Sequence, residues 1–190
     1  MIDQDGDRRE FFRTTLGRFA REMAERTERR VVVQRFFRPP GAQDEVTFLA
    51  LCTRCDLCAE VCPPQAIAKA LPSSGLAAGT PMIEPSRQPC TVCSDMPCAA
   101  ACPTGALVVP ERKWEGYRMG RLSLLPERCI AFHGVECGVC VRSCPVGERA
   151  MVLDEGGRPV IRAEGCVGCG VCVRACVTTP SSLTLRMEEP

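Results

Sequence analysis

Sixteen cysteines in four runs of four constrain this 190-residue chain more than any other feature of its sequence. The runs are Cys52, Cys55, Cys58 and Cys62; Cys90, Cys93, Cys98 and Cys102; Cys129, Cys137, Cys140 and Cys144; and Cys166, Cys169, Cys172 and Cys176. Proline follows each of the first three runs directly, whereas Val177 follows the fourth. Runs one and four share one spacing, run two has a longer middle gap, and run three has a longer first gap.

Three kinds of site use closely spaced cysteines. Disulfides are disfavoured because neighbouring thiols in such short runs cannot all reach different partners. Structural zinc uses two separated cysteine pairs, which leaves the third and fourth cysteines of each run without a role. A [4Fe-4S] cluster takes four thiolates, and runs one and four have the spacing of bacterial ferredoxins. The spacing therefore predicts four [4Fe-4S] clusters, with all sixteen cysteines as ligands.

The ferredoxin spacing also predicts how the runs cooperate. In two-cluster ferredoxins the fourth cysteine of a run ligates the other cluster, so we expect four runs to form two interlocked pairs. In run four, Gly168 and Gly170 fit positions where the backbone comes close to the cluster or takes a positive φ.

Composition and the remaining motifs exclude several functions. Only 5% of residues are aromatic, which suits an interior filled by inorganic clusters, and the formal charge of +1 argues against nucleic-acid binding. No apolar stretch reaches the roughly 18 residues of a membrane span. The chain has no dinucleotide fingerprint, P-loop or c-type haem motif, so an electron donor and acceptor must be other proteins.

Residues 7–30 have the pattern of an amphipathic helix, with Asp7 as N-cap and Glu10 three residues later. Two interpretations remain: the helix packs on the cluster domain or a partner, or it contacts a membrane or a membrane subunit. Arg8 and Arg9 begin a pattern similar to a twin-arginine signal, but charged residues interrupt the apolar region that such a signal needs. We therefore expect a cytoplasmic protein, with the inner face of the membrane as a place of contact.

The coarse pattern predicts an α+β fold of tandem bacterial-ferredoxin-like modules, each with short strands, a cysteine loop and a short helix. We expect an N-terminal helix and extended segment over residues 1–37 and a four-cluster domain over residues 38–190. Residues 38–43 are predicted to be a linker. The local pattern predicts a short helix from Asp44 to Leu51 and a β-hairpin over residues 150–162.

Three side chains near the cysteines have both a structural and a redox interpretation. Trp114 and Tyr117 lie in a polar stretch, residues 110–121, and packing against a cysteine loop is favoured for both. His133 is the only histidine, and a plain loop position is favoured over a hydrogen bond that tunes the third-run cluster.

Parts of the chain resemble the NapG/MauM ferredoxin-type group, which is associated with periplasmic nitrate reductase and methylamine oxidation. The matching stretches are Arg38-Pro-Pro-Gly-Ala before Phe48-Leu-Ala-Leu-Cys-Thr-Arg-Cys55, Pro97-Cys-Ala-Ala-Ala-Cys-Pro-Thr-Gly105, and Cys129-Ile-Ala-Phe-His-Gly-Val-Glu-Cys137. The resemblance covers about residues 36–187. Members of that group usually carry a complete export signal, and its lack here favours a cytoplasmic relative such as the NapF-type accessory proteins.

The resemblance also implies a pairing of the runs. In related four-cluster subunits the first run pairs with the fourth and the second with the third. The outer pair would then be Cys52, Cys55, Cys58 and Cys176, with Cys166, Cys169, Cys172 and Cys62. The inner pair would be Cys90, Cys93, Cys98 and Cys144, with Cys129, Cys137, Cys140 and Cys102.

The function that follows is electron transfer without catalytic residues. We expect a relay subunit or carrier between a donor, such as a quinol-oxidising subunit, and a partner oxidoreductase, within a larger oxidoreductase complex. The alternative is a cytoplasmic accessory or maturation protein for a molybdoenzyme-type partner. A cluster enzyme with an open iron site is disfavoured because all four cysteine sets are complete.

Overall fold

Each short helix that follows a cysteine loop begins one residue before the third cysteine of its run. The computed structural model describes residues 36–115 and 117–187, and the predicted helix over residues 7–30 lies outside them. The α-helices of the described residues are α1 (Glu45–Leu51), α2 (Leu57–Glu60), α3 (Pro97–Ala100), α4 (Val139–Arg142) and α5 (Val171–Ala175). Short 3₁₀ segments occupy Pro72–Ala77, Pro126–Arg128, Ile130–His133 and Gly147–Arg149.

A left-handed residue turns the chain into each of the helices α2 to α5. These N-cap residues have positive φ: Asp56 (67°), Met96 (48°), Gly138 (74°) and Gly170 (86°). The same backbone turn therefore recurs four times, at the same distance from the third cysteine. Helices of four or five residues are too short to be stable alone, so tertiary packing must hold these four in place.

Helix α1 delivers the first cysteine. Asp44 caps it, since its Oδ1 accepts a hydrogen bond from the Thr47 N–H at 3.1 Å. The helix ends at Cys52, whose N–H donates to the Phe48 carbonyl at 2.9 Å. The short helix predicted to lead into run one is confirmed.

The strands of the described residues form three two-stranded antiparallel sheets. They are β1 (Ile67–Lys69) with β2 (Pro81–Ile83), β3 (Arg121–Leu124) with β6 (Leu183–Arg186), and β4 (Met151–Leu153) with β5 (Pro159–Ile161). The β4–β5 pair, in which Val152 faces Val160, confirms the predicted hairpin. The mixture of short strands and helices agrees with the predicted α+β class.

Residues 38–41 are buried, so the prediction of a linker over 38–43 is wrong. Phe37 pairs with Ile83 and Ala42 with Leu107 in isolated β-bridges. The Arg38 side chain is 7% exposed and binds Glu45. The segment is therefore part of the packed structure, while the predicted domain division after residue 37 stays a prediction.

Three small cores hold these elements together, and each contains cysteines. One surrounds Phe48, Met96 and Leu107, a second surrounds Leu122, Met151 and Leu183, and a third surrounds Ile83 and Val167. Apolar side chains thus pack around the cysteine loops rather than in one central core. Within the described residues, no helix has the length and apolar character needed to cross a bilayer.

Candidate iron–sulfur sites

Three cavities among the described residues are each lined by four cysteines. Each cavity takes the first three cysteines of one run and the last cysteine of a neighbouring run. Site A is formed by Cys52, Cys55, Cys58 and Cys102. Site B is formed by Cys90, Cys93, Cys98 and Cys62. Site C is formed by Cys166, Cys169, Cys172 and Cys144.

The four remaining cysteines define site D: Cys129, Cys137, Cys140 and Cys176. The charges of Cys129 and Cys137 both act on the Cys140 sulfur, so these three thiols lie near one another. Runs one and two exchange their last cysteines, and run four takes Cys144 from run three. We assign Cys176 to run three by the same exchange.

These cavities correct the pairing implied by the resemblance. Cys102, not Cys176, joins Cys52, Cys55 and Cys58; the other three predicted exchanges change with it. The physical reason is helix packing, because α2 packs on α3 and α4 packs on α5. The last cysteine of a run follows its helix directly, so it faces the loop of the helix packed beside it. Runs one and two therefore form one pair, and runs three and four the other.

The residues present fit [4Fe-4S] clusters. The cavities of sites A, B and C contain ≈ 370, ≈ 330 and ≈ 330 Å³ of space that protein atoms do not fill, including the solvent at their open mouths. Burial, followed by the charge of neighbouring sulfurs, raises the pKa of Cys58 to about 12. Burial also raises the pKa of Cys90 to about 12. A thiolate in such a place needs a positive partner, which iron supplies.

All sixteen cysteines are free thiols in this structure. The described residues contain no group of three or more His, Cys, Asp or Glu that could hold a metal ion. A cubane spreads its four thiolate ligands over four irons instead of gathering them on one.

Backbone amides point at several of the sulfurs. The N–H groups of Ala66, Val92 and Leu107 donate at 3.4 Å to Cys62, Cys90 and Cys102 respectively. Cys176 accepts from hydroxyl groups instead: burial raises its pKa, but hydrogen bonds from Ser182, Thr178 and Ser181 outweigh burial and lower it to about 6. Hydrogen bonds of this kind stabilise negative charge on a sulfur.

The four sites lie in a row. Cys58 of site A and Cys98 of site B share one buried core. Cys90 of site B and Cys169 of site C share a second. A third core contains Cys172 of site C and Cys140 of site D. The order along the molecule is therefore A, B, C, D, which differs from the order of the runs in the sequence.

Two glycines allow the loop of site C to meet its neighbours. Gly168 has φ +68° and Gly170 has φ +86°, so the predicted positive φ is confirmed at both. A Cβ on Gly168 would collide with the Gly120 carbonyl oxygen, and a Cβ on Gly170 with the Pro85 ring. The Met119 N–H also donates to the Val167 carbonyl at 2.9 Å. Close approach thus holds the loop of site C against Met119, Gly120 and Pro85.

The predicted structural roles of the aromatic residues and the histidine agree with the structure. Trp114 donates from Nε1 to the Cys93 carbonyl at 2.7 Å and lines site B. Its ring meets that of Tyr117 edge to face at 5.9 Å. His133 Nε2 lies 3.2 Å from the Glu127 carbonyl oxygen, as expected for a loop residue.

Comparison with known proteins gives matches to iron–sulfur families. A 4Fe-4S binding domain model matches residues 47–68, and a 4Fe-4S dicluster domain model matches residues 133–179. The ferredoxin-type protein NapG of Escherichia coli K12 is 42% identical over 118 residues, 62% of this chain and 51% of NapG. The methylamine utilization ferredoxin-type protein MauM of Paracoccus denitrificans is 39% identical over 142 residues, 70% of this chain and 63% of MauM.

The chain is a homologue of the NapG and MauM ferredoxin-type proteins. The ferredoxin-type protein NapF of Escherichia coli K12 is also similar, at 34% identity over 110 residues, 56% of this chain and 58% of NapF. The chain spans about half to two thirds of the length of these NapG and MauM relatives. No solved structure matches it. The two 4Fe-4S domain matches indicate an iron–sulfur protein.

The sequence alone did not reveal two sets of residues near the sites. The hydroxyls of Thr178 and Ser182 contact Cys176, and the absence of proline after this cysteine was the available signal. Arg38 supports helix α1, which carries the chain into site A. Because Arg38 precedes Pro39, Pro40 and Gly41, the sequence analysis assigned it to a linker.

Proposed function

We propose that this chain transfers electrons through four [4Fe-4S] clusters held in sites A to D, as a subunit or carrier between a donor and a partner oxidoreductase. The observation that carries the proposal is the row of four cysteine sites, each joined to the next by a buried core that contains a cysteine of both. A bound [4Fe-4S] cluster supplies one-electron chemistry.

The protein contributes burial, orientation and insulation. Cys90, Cys169 and Cys172 are at most 8% exposed, so these three sulfurs in the middle of the row are shielded from water. Ile83 and Val167 fill the space between sites B and C. Packed apolar contacts of this kind keep neighbouring sites at fixed separations.

The two ends of the row differ from its middle. Cys55 of site A is an exposed cysteine. Beside site D, Phe132 and Val135 in the long gap of run three are 38% and 51% exposed. We infer that the donor and the acceptor bind at opposite ends of the row. Small exposed patches are sufficient for this, because weak electron-transfer complexes bury less than about 1,200 Å² of surface.

Iron and sulfide analysis of the anaerobically reconstituted protein tests the number of clusters. Four cubanes require about 16 iron atoms per chain, with EPR signals of reduced [4Fe-4S] clusters. About 8 iron atoms, or zinc in place of iron, would contradict the proposal.

Cysteine variants test the ligand sets. The double variant Cys52→Ala, Cys55→Ala should lose the cluster of site A, and the EPR signal that disappears is then the signal of site A. Cys102→Ala is then expected to alter that same signal, whereas the matched variant Cys62→Ala alters the signal of site B. If Cys176→Ala changes the site A signal and Cys102→Ala leaves it intact, the assignment is wrong.

Partner capture tests the relay. A stable complex with a donor-oxidising or membrane redox subunit, whose electrons reduce the chain, is the expected result. Transient binding to a cofactor-free oxidoreductase with no electron transfer would instead support the accessory role, and would contradict the relay.

A further inference from the structure

The segment after Cys176 places two hydroxyl groups against its sulfur. Thr178 Oγ1 lies 3.2 Å from Cys176 Sγ, and Ser182 Oγ lies 3.3 Å from it. Runs one to three have proline directly after the last cysteine, but run four continues as Val177-Thr-Thr-Pro-Ser-Ser182. The missing proline therefore coincides with a hydroxyl-rich segment that folds back on the sulfur.

The direction of these hydrogen bonds follows from the chemistry of the ligand. A metal-bound cysteine is a thiolate and has no proton to give. Both hydroxyls must therefore donate to the sulfur when Cys176 ligates iron.

The surrounding backbone holds the hydroxyls in position. The Ser182 N–H donates to Thr178 Oγ1 at 3.0 Å, which leaves the Thr178 proton free to point at the sulfur. The Leu125 N–H donates to the Ser182 carbonyl at 2.8 Å. Ser182 is 3% exposed, so water does not compete for its hydroxyl. The backbone therefore preorganises both donors, and the Ser182 hydroxyl is also buried.

The last cysteines of the first two runs have a different environment. Cys62 accepts from the backbone N–H of Ala66 at 3.4 Å. Cys102 accepts from the N–H of Leu107 at 3.4 Å, and the Thr104 hydroxyl stands farther off at 3.7 Å. Cys176 thus has two hydroxyl donors at shorter distances than the single one at Cys102.

Hydrogen bonds to the sulfurs are one of the factors that set the reduction potential of a cluster. They stabilise negative charge, and the reduced cluster carries one more negative charge than the oxidised one. They therefore favour the reduced form at the site that contains Cys176.

We propose that Thr178 and Ser182 are positioning residues that give site D the highest reduction potential of the row, so that it is the end at which electrons collect. The inference rests on the proposed electron-transfer function. With clusters bound, the transfer of one electron from site C to site D would oxidise C and reduce D by one electron each, with no bond broken and both hydroxyl protons retained on oxygen.

EPR-monitored redox titration of the holoprotein tests the inference. The variants are Thr178→Val, Ser182→Ala and the double variant, with Thr104→Val at Cys102 as the matched control. In the double variant we expect one of four midpoint potentials to fall by ~59 mV or more, a tenfold change in the ratio of reduced to oxidised cluster. The other three potentials should not change. Thr178→Ser as a single variant keeps the hydroxyl and should leave all four potentials at their unaltered values.

Two further readouts make the result decisive. The potential that falls must be the highest of the four in the unaltered protein, and its signal must be the one that Cys137→Ala removes. Four unchanged potentials at full iron content, or a shift in the lowest potential, would overturn the inference while leaving the relay intact. Failure to bind about 16 iron atoms in the unaltered protein would instead refute the proposed function.

Discussion

Replacement of Arg38 by methionine tests whether the segment before α1 is a structural support of site A. The Arg38 guanidinium makes four hydrogen bonds. Nε and Nη2 hold the two carboxylate oxygens of Glu45, the former at 3.0 Å, while Nη1 donates to Thr80 Oγ1 and the Pro81 carbonyl, both at 2.8 Å. The guanidinium carbon also lies 4.5 Å from the centre of the Phe48 ring.

The structure gives the size of the effect. Removal of one partner of a buried ion pair costs about 3–5 kcal/mol. The lower end applies because the Glu45 side chain is 29% exposed and can regain water. Thr80 keeps a partner, since its hydroxyl also donates to the Ala77 carbonyl. We therefore expect Arg38→Met to destabilise the protein by about 3 kcal/mol.

Thermal unfolding of the anaerobic holoprotein, followed by the visible iron–sulfur absorbance, measures this loss. For a chain of this length about 3 kcal/mol corresponds to a fall of about 6–12 °C in Tm. Arg38→Lys should give an intermediate value, because an ammonium cannot reproduce the bidentate contact with Glu45.

The matched control is Arg87→Met. The Arg87 side chain is 85% exposed and its ion pair with Glu84 is 3.7 Å long, so we expect no measurable change. A Tm for Arg38→Met equal to that of Arg87→Met would refute the claim that residue 38 supports the core.

Three other perturbations have expected outcomes. Gly168→Ala should lower Tm far more than Gly157→Ala. Both glycines have positive φ, but only at Gly168 would the new Cβ collide with backbone atoms. An equal fall in Tm for the two variants would contradict this. Trp114→Phe removes the hydrogen bond to the Cys93 carbonyl, and should speed loss of the site B signal to an iron chelator relative to the other signals. Removal of all iron should abolish the cooperative unfolding seen by far-UV circular dichroism, since each core is completed by cysteines around a cavity; a fully cooperative apoprotein melt would argue against that role.

Local features of the fold could be predicted from the sequence because they depend on neighbouring residues. The cysteine spacing predicted the loops, the local pattern of residues 150–162 predicted the β4–β5 hairpin, and the pattern from Asp44 predicted α1. The positive φ of Gly168 and Gly170 follows from the freedom of glycine. Each of these predictions depends only on residues close together in the sequence, and the structure confirms them.

The pairing of the runs could not be predicted in this way. It depends on which helices pack together, and the resemblance to other four-cluster subunits implied a nested arrangement that the packing of α2 on α3 excludes. The β3–β6 pair, which joins Arg121 to Arg186, is also a long-range contact without a local signal.

Arg38 shows why the local composition gave a wrong prediction of a linker over residues 38–43. Pro39, Pro40 and Gly41 are typical of a linker, but here they lie buried beside an arginine whose partners, such as Thr80, are far along the chain. Burial of a charged residue depends on such distant partners, which local patterns do not contain.

The order of the four sites is the central claim, and magnetic coupling between reduced clusters tests it most directly. Variants that lack sites A and D (Cys55→Ala with Cys137→Ala) should retain a strong spin–spin interaction, because sites B and C meet at Cys90 and Cys169. Variants that lack sites B and C (Cys93→Ala with Cys166→Ala) should leave two uncoupled clusters at opposite ends. Coupling in the second variant and its absence in the first would contradict the account.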